Sequence, residues 1–128
     1  MGDLLPVLAV MVISWWAVQG IKIFLGRKYH IQPEEAMRIM KEDHNARVVD
    51  VRNRSEYEQG HIPGAICIPL NEIESTDLLG MNEKILVYCQ MGSRSREAVR
   101  KLSKMGYTDV HEFGGLNKRT GNIVKGNE

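Results

Sequence analysis

The sequence predicts an α/β domain, a parallel sheet flanked by helices, preceded by one transmembrane helix. Three observations predict it. From residue 29 onward, apolar runs of strand length alternate with helical patterns, the order that builds a parallel sheet. The run Ile85-Leu86-Val87-Tyr88 has no polar alternation, as expected of a strand covered on both faces. The apolar content, 43% of 128 residues, is also unevenly spread: from Leu4 to Leu25, 17 of 22 positions are apolar and Lys22 is the only charge. Residues 1–28 therefore read as a transmembrane anchor with a basic linker, and 29–128 as one globular domain of ordinary size. These proportions exclude a multidomain enzyme, a polytopic membrane protein and a disordered tail. Two cysteines are too few for a disulfide scaffold, and a net charge of +1 gives no reason to expect nucleic acid.

Leu4 to Ile21 is an uncharged run of 18 residues. A helix of that length covers about 27 Å, and extension through Leu25 reaches about 33 Å, against a hydrocarbon core of about 30 Å. The Lys22 ammonium then snorkels towards the headgroups. Trp15 and Trp16 sit nearer the helix middle than an aromatic belt prefers. A cleaved signal peptide is the main competitor, and it needs a basic start and a small-residue cleavage site. Asp3 is the only charge before the run, and Ala17-Val18-Gln19-Gly20 is a poor cleavage motif. A buried core helix is the other alternative, but this run offers water no polar face. Lys22, Arg27 and Lys28 follow it. The positive-inside bias thus predicts a single-pass protein of the cell membrane, attached through residues 4–25, with its domain in the cytoplasm.

After the basic stretch Gly26 to His30, Pro33 suits a first helical turn, with Glu34 and Glu35 placed where the macrodipole favours acids. Ala36, Met37, Ile39 and Met40 give that helix a core-facing stripe. Val48, Val49 and Val51 predict a buried strand ending at Asp50-Val51-Arg52. Ser55 with Glu58 predicts a capping box on a short helix. Gly60 to Gly64 is a turn, and Ala65 to Ile68 a second strand stopped by Pro69. Asn71 to Glu83 reads as a helix plus a loop, and Ile85 to Tyr88 as the third strand. Ser95 to Met105 is a helix with Ala98, Val99 and Leu102 on one face and Gly106 as its stop. Val110 to Phe113 is a last short strand before Gly114-Gly115.

The chemistry concentrates in Tyr88-Cys89-Gln90-Met91-Gly92-Ser93-Arg94-Ser95. A cysteine ends a strand, where open α/β sheets place their ligands, and a glycine-containing loop leads into a helix. Loop N–H groups curled round a point make an anion nest, and the helix start adds positive potential. Those surroundings stabilise a thiolate. Arg94 adds a permanent charge and a planar fork suited to an oxyanion. The chemistry favoured is a thiolate attacking an anionic substrate. A lone cysteine after an apolar strand is more often a small core residue, but the Gly-Ser-Arg-Ser run before a helix has no packing purpose.

This stretch resembles the active-site loop of rhodanese-type sulfurtransferases, C-x-x-G-x-R-S, at Cys89, Gly92, Arg94 and Ser95. Asp50-Val51-Arg52, Glu56-Tyr57, Gly60-His61-Ile62-Pro63-Gly64-Ala65, Ile68-Pro69 and Phe113-Gly114-Gly115 agree in order and spacing. The resemblance runs from about His30 to Lys118 and implies a small single-domain rhodanese-like fold on a membrane anchor. It implies that the Cys89 thiolate takes sulfane sulfur from a small anionic donor such as thiosulfate, becomes a persulfide, and passes the sulfur to a thiol or protein acceptor. It implies too that the backbone N–H groups of Gln90, Met91, Gly92, Ser93 and Arg94 face the sulfur. No metal or organic cofactor is implied, and His30, His44 and His111 show no metal-ligand spacing. The resemblance gives His61 a structural role in its turn.

Two other functions compete. One is a non-catalytic rhodanese-scaffold binding module at the membrane, although a scaffold needs none of Cys89, Gly92 and Arg94. The other is a phosphatase or arsenate-reductase type of thiolate enzyme; those related loops place five residues between cysteine and arginine, and here there are four. The smaller cradle suits a single sulfur. Asp50 and Arg52 read as a structural ion pair under the site, and Ser93 and Ser95 as hydrogen-bonding within the loop. Cys67 reads as a buried strand residue, with resolution of a Cys89 persulfide as the alternative. Arg119 stands where the family often has tryptophan. With Arg94, Arg96, Arg100, Lys101 and Lys104 it extends a basic surface, whose other reading is a solvated helix face.

Overall fold

The computed structural model describes residues 3–117, 120, 121 and 123–126. Among these residues lie the α-helices α1 (Leu4–Lys28), α2 (Pro33–Glu42), α3 (Arg54–Gln59) and α4 (Ser93–Lys104), and the strands β1 (Arg47–Asp50), β2 (Ile66–Cys67), β3 (Lys84–Cys89) and β4 (Asp109–Gly115). All strand pairs are parallel, in the order β2-β1-β3-β4.

The alternation of the strands sorts the core into two layers. Val49, Ile85, Val87, Cys89 and Val110 face one side, where they pack with Ala98, Val99 and Leu102 of α4. Val48, Leu86, Tyr88 and Phe113 face the other, against Ala36 of α2 and Tyr57 of α3. Each fully buried aliphatic side chain contributes about 1.5–3 kcal/mol, so β3, apolar towards both layers, is the hydrophobic centre. The chain turns one way from β1 to β2 and the other way from β1 to β3. Such a reversal opens a crevice at the carboxyl ends of β1 and β3. Asp50 and Cys89 end those two strands.

α2 forms where Pro33 and the two following acids predict it, with Pro33 and Ala36 buried and Met37, Ile39 and Met40 packed alongside. Four expectations need correction. The capping box of α3 joins Asn53 to Glu56, two residues earlier than Ser55 and Glu58; the Ser55 hydroxyl instead donates to Asn53 Oδ1 at 2.8 Å. Residues 71–83 hold no α-helix. A single 3₁₀ turn, Leu70–Glu72, precedes irregular chain anchored by buried Ile73 and Leu79. Two anchors six residues apart do not make a helical stripe. β2 is only two residues long, because the Ala65 N–H turns back to Ile62 O; past Cys67 the Ile68 N–H bonds to Asp50 O at the end of β1 and the Leu70 N–H to Val51 O just beyond it. The helix over the site begins at Ser93 rather than Ser95 and stops before Gly106, which sits at φ +106°.

α1 runs unbroken through Lys28, so Arg27 and Lys28 are helical rather than part of a linker. Its apolar side chains lie outward, with Leu4, Leu5, Met11 and Trp16 all more than 60% exposed. By length and composition Leu4–Ile21 is able to cross a membrane. Immediately after α1 the chain joins the sheet edge. Glu112 N–H donates to Tyr29 O and Ile31 N–H to Glu112 O, at 2.8 and 2.9 Å. Arg119 lies outside the described residues.

Candidate active site

Parity decides where Cys89 points. Sharing a face with Ile85 and Val87, its side chain lies under α4 and is fully buried. The loop then turns sharply at Gly92, whose φ of +102° is open to glycine at little cost. That turn directs the Gly92 N–H onto Cys89 Sγ at 2.8 Å. Ser95, also fully buried, sits 3.5 Å from the same sulfur and 2.9 Å from Gly92 O. The loop is pinned from the other side by β4. Its register with β3 shifts between Val87 and Cys89, which sets Gly115 opposite Cys89. A Cβ on Gly115 would lie 2.0 Å from Gln90 O, so the loop closes only over a glycine.

Asp50 and Arg52 form the buried ion pair expected beneath the site. Arg52 Nη2 is 2.8 Å from Asp50 Oδ2, and Nε donates to both carboxylate oxygens. The pair reaches the loop, since Arg52 Nη1 donates to Gln90 Oε1 at 3.2 Å. Arg94 does not present an open fork. Its guanidinium grips Glu56 at 2.7 and 3.1 Å, and this pairing holds the Glu56 carboxyl below the usual carboxylate range. Arg94 therefore ties α4 to α3 and lends the loop its charge from the side. Arg96 has no acidic partner among the described residues. Its Nη1 lies 3.1 Å from where a Cβ on Gly92 would stand, beside the loop.

The other loop residues divide. The Gly92 N–H is the loop amide bonded to the sulfur among the described residues. Met91 is 85% exposed at the crown, and Ser93 is exposed at the start of α4. Clefts of about 330 and 310 Å³ flank the loop, one reaching Arg94 and Lys101, the other Arg52 and Gln90. The basic surface is smaller than its sequence, because Lys101 pairs with Glu74 at 2.9 Å. No cluster of three or more His, Cys, Asp or Glu that could hold a metal occurs among the described residues.

Cys67 stands apart. It pairs with Asp50, which pairs with Tyr88, so two strand spacings of about 4.8 Å separate it from β3. A disulfide needs Cα atoms within about 7 Å, so Cys67 does not reach Cys89 without backbone movement. Burial also pushes its thiol up, a poor state for a resolving nucleophile. His61 is structural, stacked on Tyr57 at 3.6 Å and donating from Nδ1 to Tyr57 O.

Two site neighbours escaped the sequence reading. Glu56 is visible there only as part of a family landmark, because its partner is 38 positions away. Glu112 lies on β4 two residues after buried Val110, which puts a carboxylate at an inward position. That parity was the available signal.

Comparison with known proteins agrees with this geometry. The family profile described as Rhodanese-like domain matches residues 32–118. The chain is 42% identical over 81 residues to thiosulfate sulfurtransferase PspE of Escherichia coli, covering 61% of this chain and 78% of that one. It is 37% identical over 83 residues to the putative sulfur carrier protein YrkF of Bacillus subtilis, covering 61% of this chain and 45% of YrkF. Among solved structures, the human single-domain sulfurtransferase TSTD1 superposes with a TM-score of 0.64 at 26% identity, covering 71% of this chain and 93% of TSTD1.

Proposed function

The chain belongs to the rhodanese-like domain family, and from that premise we propose that it is a thiosulfate-type sulfurtransferase working through a Cys89 persulfide, tethered to a membrane by residues 4–25. Homologues named thiosulfate sulfurtransferase support the activity, and a carrier-type relative supports a role in passing sulfur onward.

The contact that carries the mechanism is the Gly92 N–H at 2.8 Å from Cys89 Sγ. It donates to a thiolate, and the same donor serves a persulfide anion. The thiolate attacks the sulfane sulfur of the donor. A new S–S bond forms to Cys89, the donor's own S–S bond breaks, and sulfite leaves with the bonding pair. An acceptor thiolate then attacks the outer sulfur and frees the Cys89 thiolate, so charge and electrons balance without a cofactor. Arg96, exposed beside Gly92, supplies positive charge to an anionic donor. Phosphoryl transfer fits less well, since the arginine separated from the cysteine by four residues is committed to Glu56. The basic residues after the apolar run support a cytoplasmic domain.

Intact mass after exposure to thiosulfate tests the reading. The expected result is a gain of one sulfur that cyanide removes and that Cys89→Ser abolishes. A chain that takes no sulfur from thiosulfate or from a low-molecular-weight persulfide would instead be a binding module.

A further inference from the structure

We propose that Glu112 and His30 form a hydrogen-bonded pair that acts on Cys89 through Ser95, so that a histidine at the foot of α1 sets how readily the thiol becomes a thiolate. The chain of contacts is continuous. His30 Nδ1 lies 2.7 Å from Glu112 Oε1, Glu112 Oε2 lies 3.3 Å from Ser95 Oγ, and Ser95 Oγ lies 3.5 Å from Cys89 Sγ. Glu112 is 1% exposed, whereas the His30 side chain is 39% exposed and meets solvent. A carboxylate that buried persists only when paired, and its partners are His30, Ser95 and the Gly114 N–H at 2.8 Å.

Ser95 has one hydroxyl hydrogen and three acceptors within reach, Gly92 O, Glu112 Oε2 and Cys89 Sγ. While Cys89 is a thiol, its S–H points at Ser95 Oγ and the serine hydrogen is left for Glu112 or Gly92. Once the thiol proton has passed to water, the hydroxyl must turn to the sulfur. Glu112 opposes that turn twice, by competing for the hydrogen and by placing negative charge within about 7 Å of the thiolate. The His30 ring, bonded through Nδ1 to the other carboxylate oxygen, offsets that charge. Arg96 stands beside the Gly92 turn, and Asp50 and Arg52 pair with each other beneath the loop. Arg94 acts on Cys89 from the α4 side, and Asp109 and His111 bond each other at 2.6 Å on the opposite face of β4. Glu112 and His30 are thus positioning residues, and His30 belongs to the segment that leaves α1 and bridges to β4.

The inference rests on Cys89 as the nucleophile, not on the identity of its substrate. Its test is alkylation of the full chain in detergent by iodoacetamide across pH, with the Cys89 adduct separated from that of Cys67 by peptide mass. Glu112→Gln keeps an acceptor for the Gly114 N–H but removes the charge, and is expected to lower the reactivity midpoint by about one pH unit. His30→Ala leaves the charge uncompensated and is expected to raise the midpoint by a similar amount. In the double variant the His30 effect vanishes, because it works only through Glu112. Unmoved midpoints, or independent shifts that add in the double variant, overturn the proposal. His30 is half-exposed, so its variant keeps the test decisive should Glu112→Gln fail to fold. Shifted midpoints in a chain that loads no sulfur would sink the sulfurtransferase reading alone. Sulfur loading with unmoved midpoints would sink this one alone.

Discussion

Arg94 and Glu56 show how a residue beside the sulfur contributes by being held. The pair is about one-third exposed on each side, so solvent screens it and its worth to stability is at most about 1 kcal/mol. Its hydrogen bond to Arg94 keeps Glu56 below the usual carboxylate range. A carboxyl lowered in the folded state stabilises above its unfolded value and loses that stabilisation as pH falls through the folded one. Arg94→Ala is therefore expected to cost up to about 1 kcal/mol near neutral pH and progressively less as pH falls below the ordinary carboxylate range, as read by denaturant unfolding. Because Arg94 also projects charge onto Cys89, sulfur loading should fall by more than this stability loss implies. A stability deficit that stays constant down to acid pH would mean that packing, not the ion pair, is what Arg94 supplies.

The elements around the site are built so that β4 closes on the loop. Gly115 comes opposite Cys89 through the shifted register, and its missing side chain leaves room for Gln90 O. A Cβ there would meet backbone at 2.0 Å, a clash that no flexible side chain relieves. Gly115→Ala is expected to lower the thermal midpoint by several degrees and to abolish sulfur loading, with the loop or β4 displaced. Wild-type loading in that variant would show that the loop tolerates movement at Gln90. Much of this arrangement is legible in the sequence. Val48-Val49, Ile85 to Tyr88 and Ala98-Val99-Leu102 are apolar enough that only buried strands and a core-facing helix accommodate them. The local frames are less decisive. Asn53-x-x-Glu56 and Ser55-x-x-Glu58 overlap as capping boxes, and the first prevails in a structure where Glu56 is also drawn to Arg94, 38 residues away. Residues 71–83 fail as a helix for a related reason, since tertiary burial of Ile73 and Leu79 replaces periodicity. Strand parity marks Glu112 as inward, but nothing local marks its partners, His30 and Ser95, which lie 82 and 17 positions away.

The molecule as a whole joins two kinds of surface. The rhodanese-like fold buries its core in two layers, yet between Leu4 and Ile21 α1 displays its apolar side chains outward. An exposed apolar surface of that length has a reason to exist in lipid and a liability in water. The same helix ends one residue before Tyr29, whose carbonyl takes the Glu112 N–H, so α1 and the sheet edge are continuous in chain. If α1 is the anchor, a charge at its centre must defeat insertion while sparing chemistry some distance along the chain. Each basic residue there costs about 2.5–3.5 kcal/mol on insertion scales. The double variant Met11→Arg, Ile13→Arg is expected to move the chain from the carbonate-resistant membrane pellet to the soluble fraction. Those side chains touch no part of the loop, so the soluble variant should still gain one sulfur at Cys89. Intact mass of the membrane-bound wild type should include residues 1–28. A mature chain beginning after Gly20 would make the run a cleaved leader. A wild type that never pellets would mean that the apolar face of α1 is covered by something other than lipid.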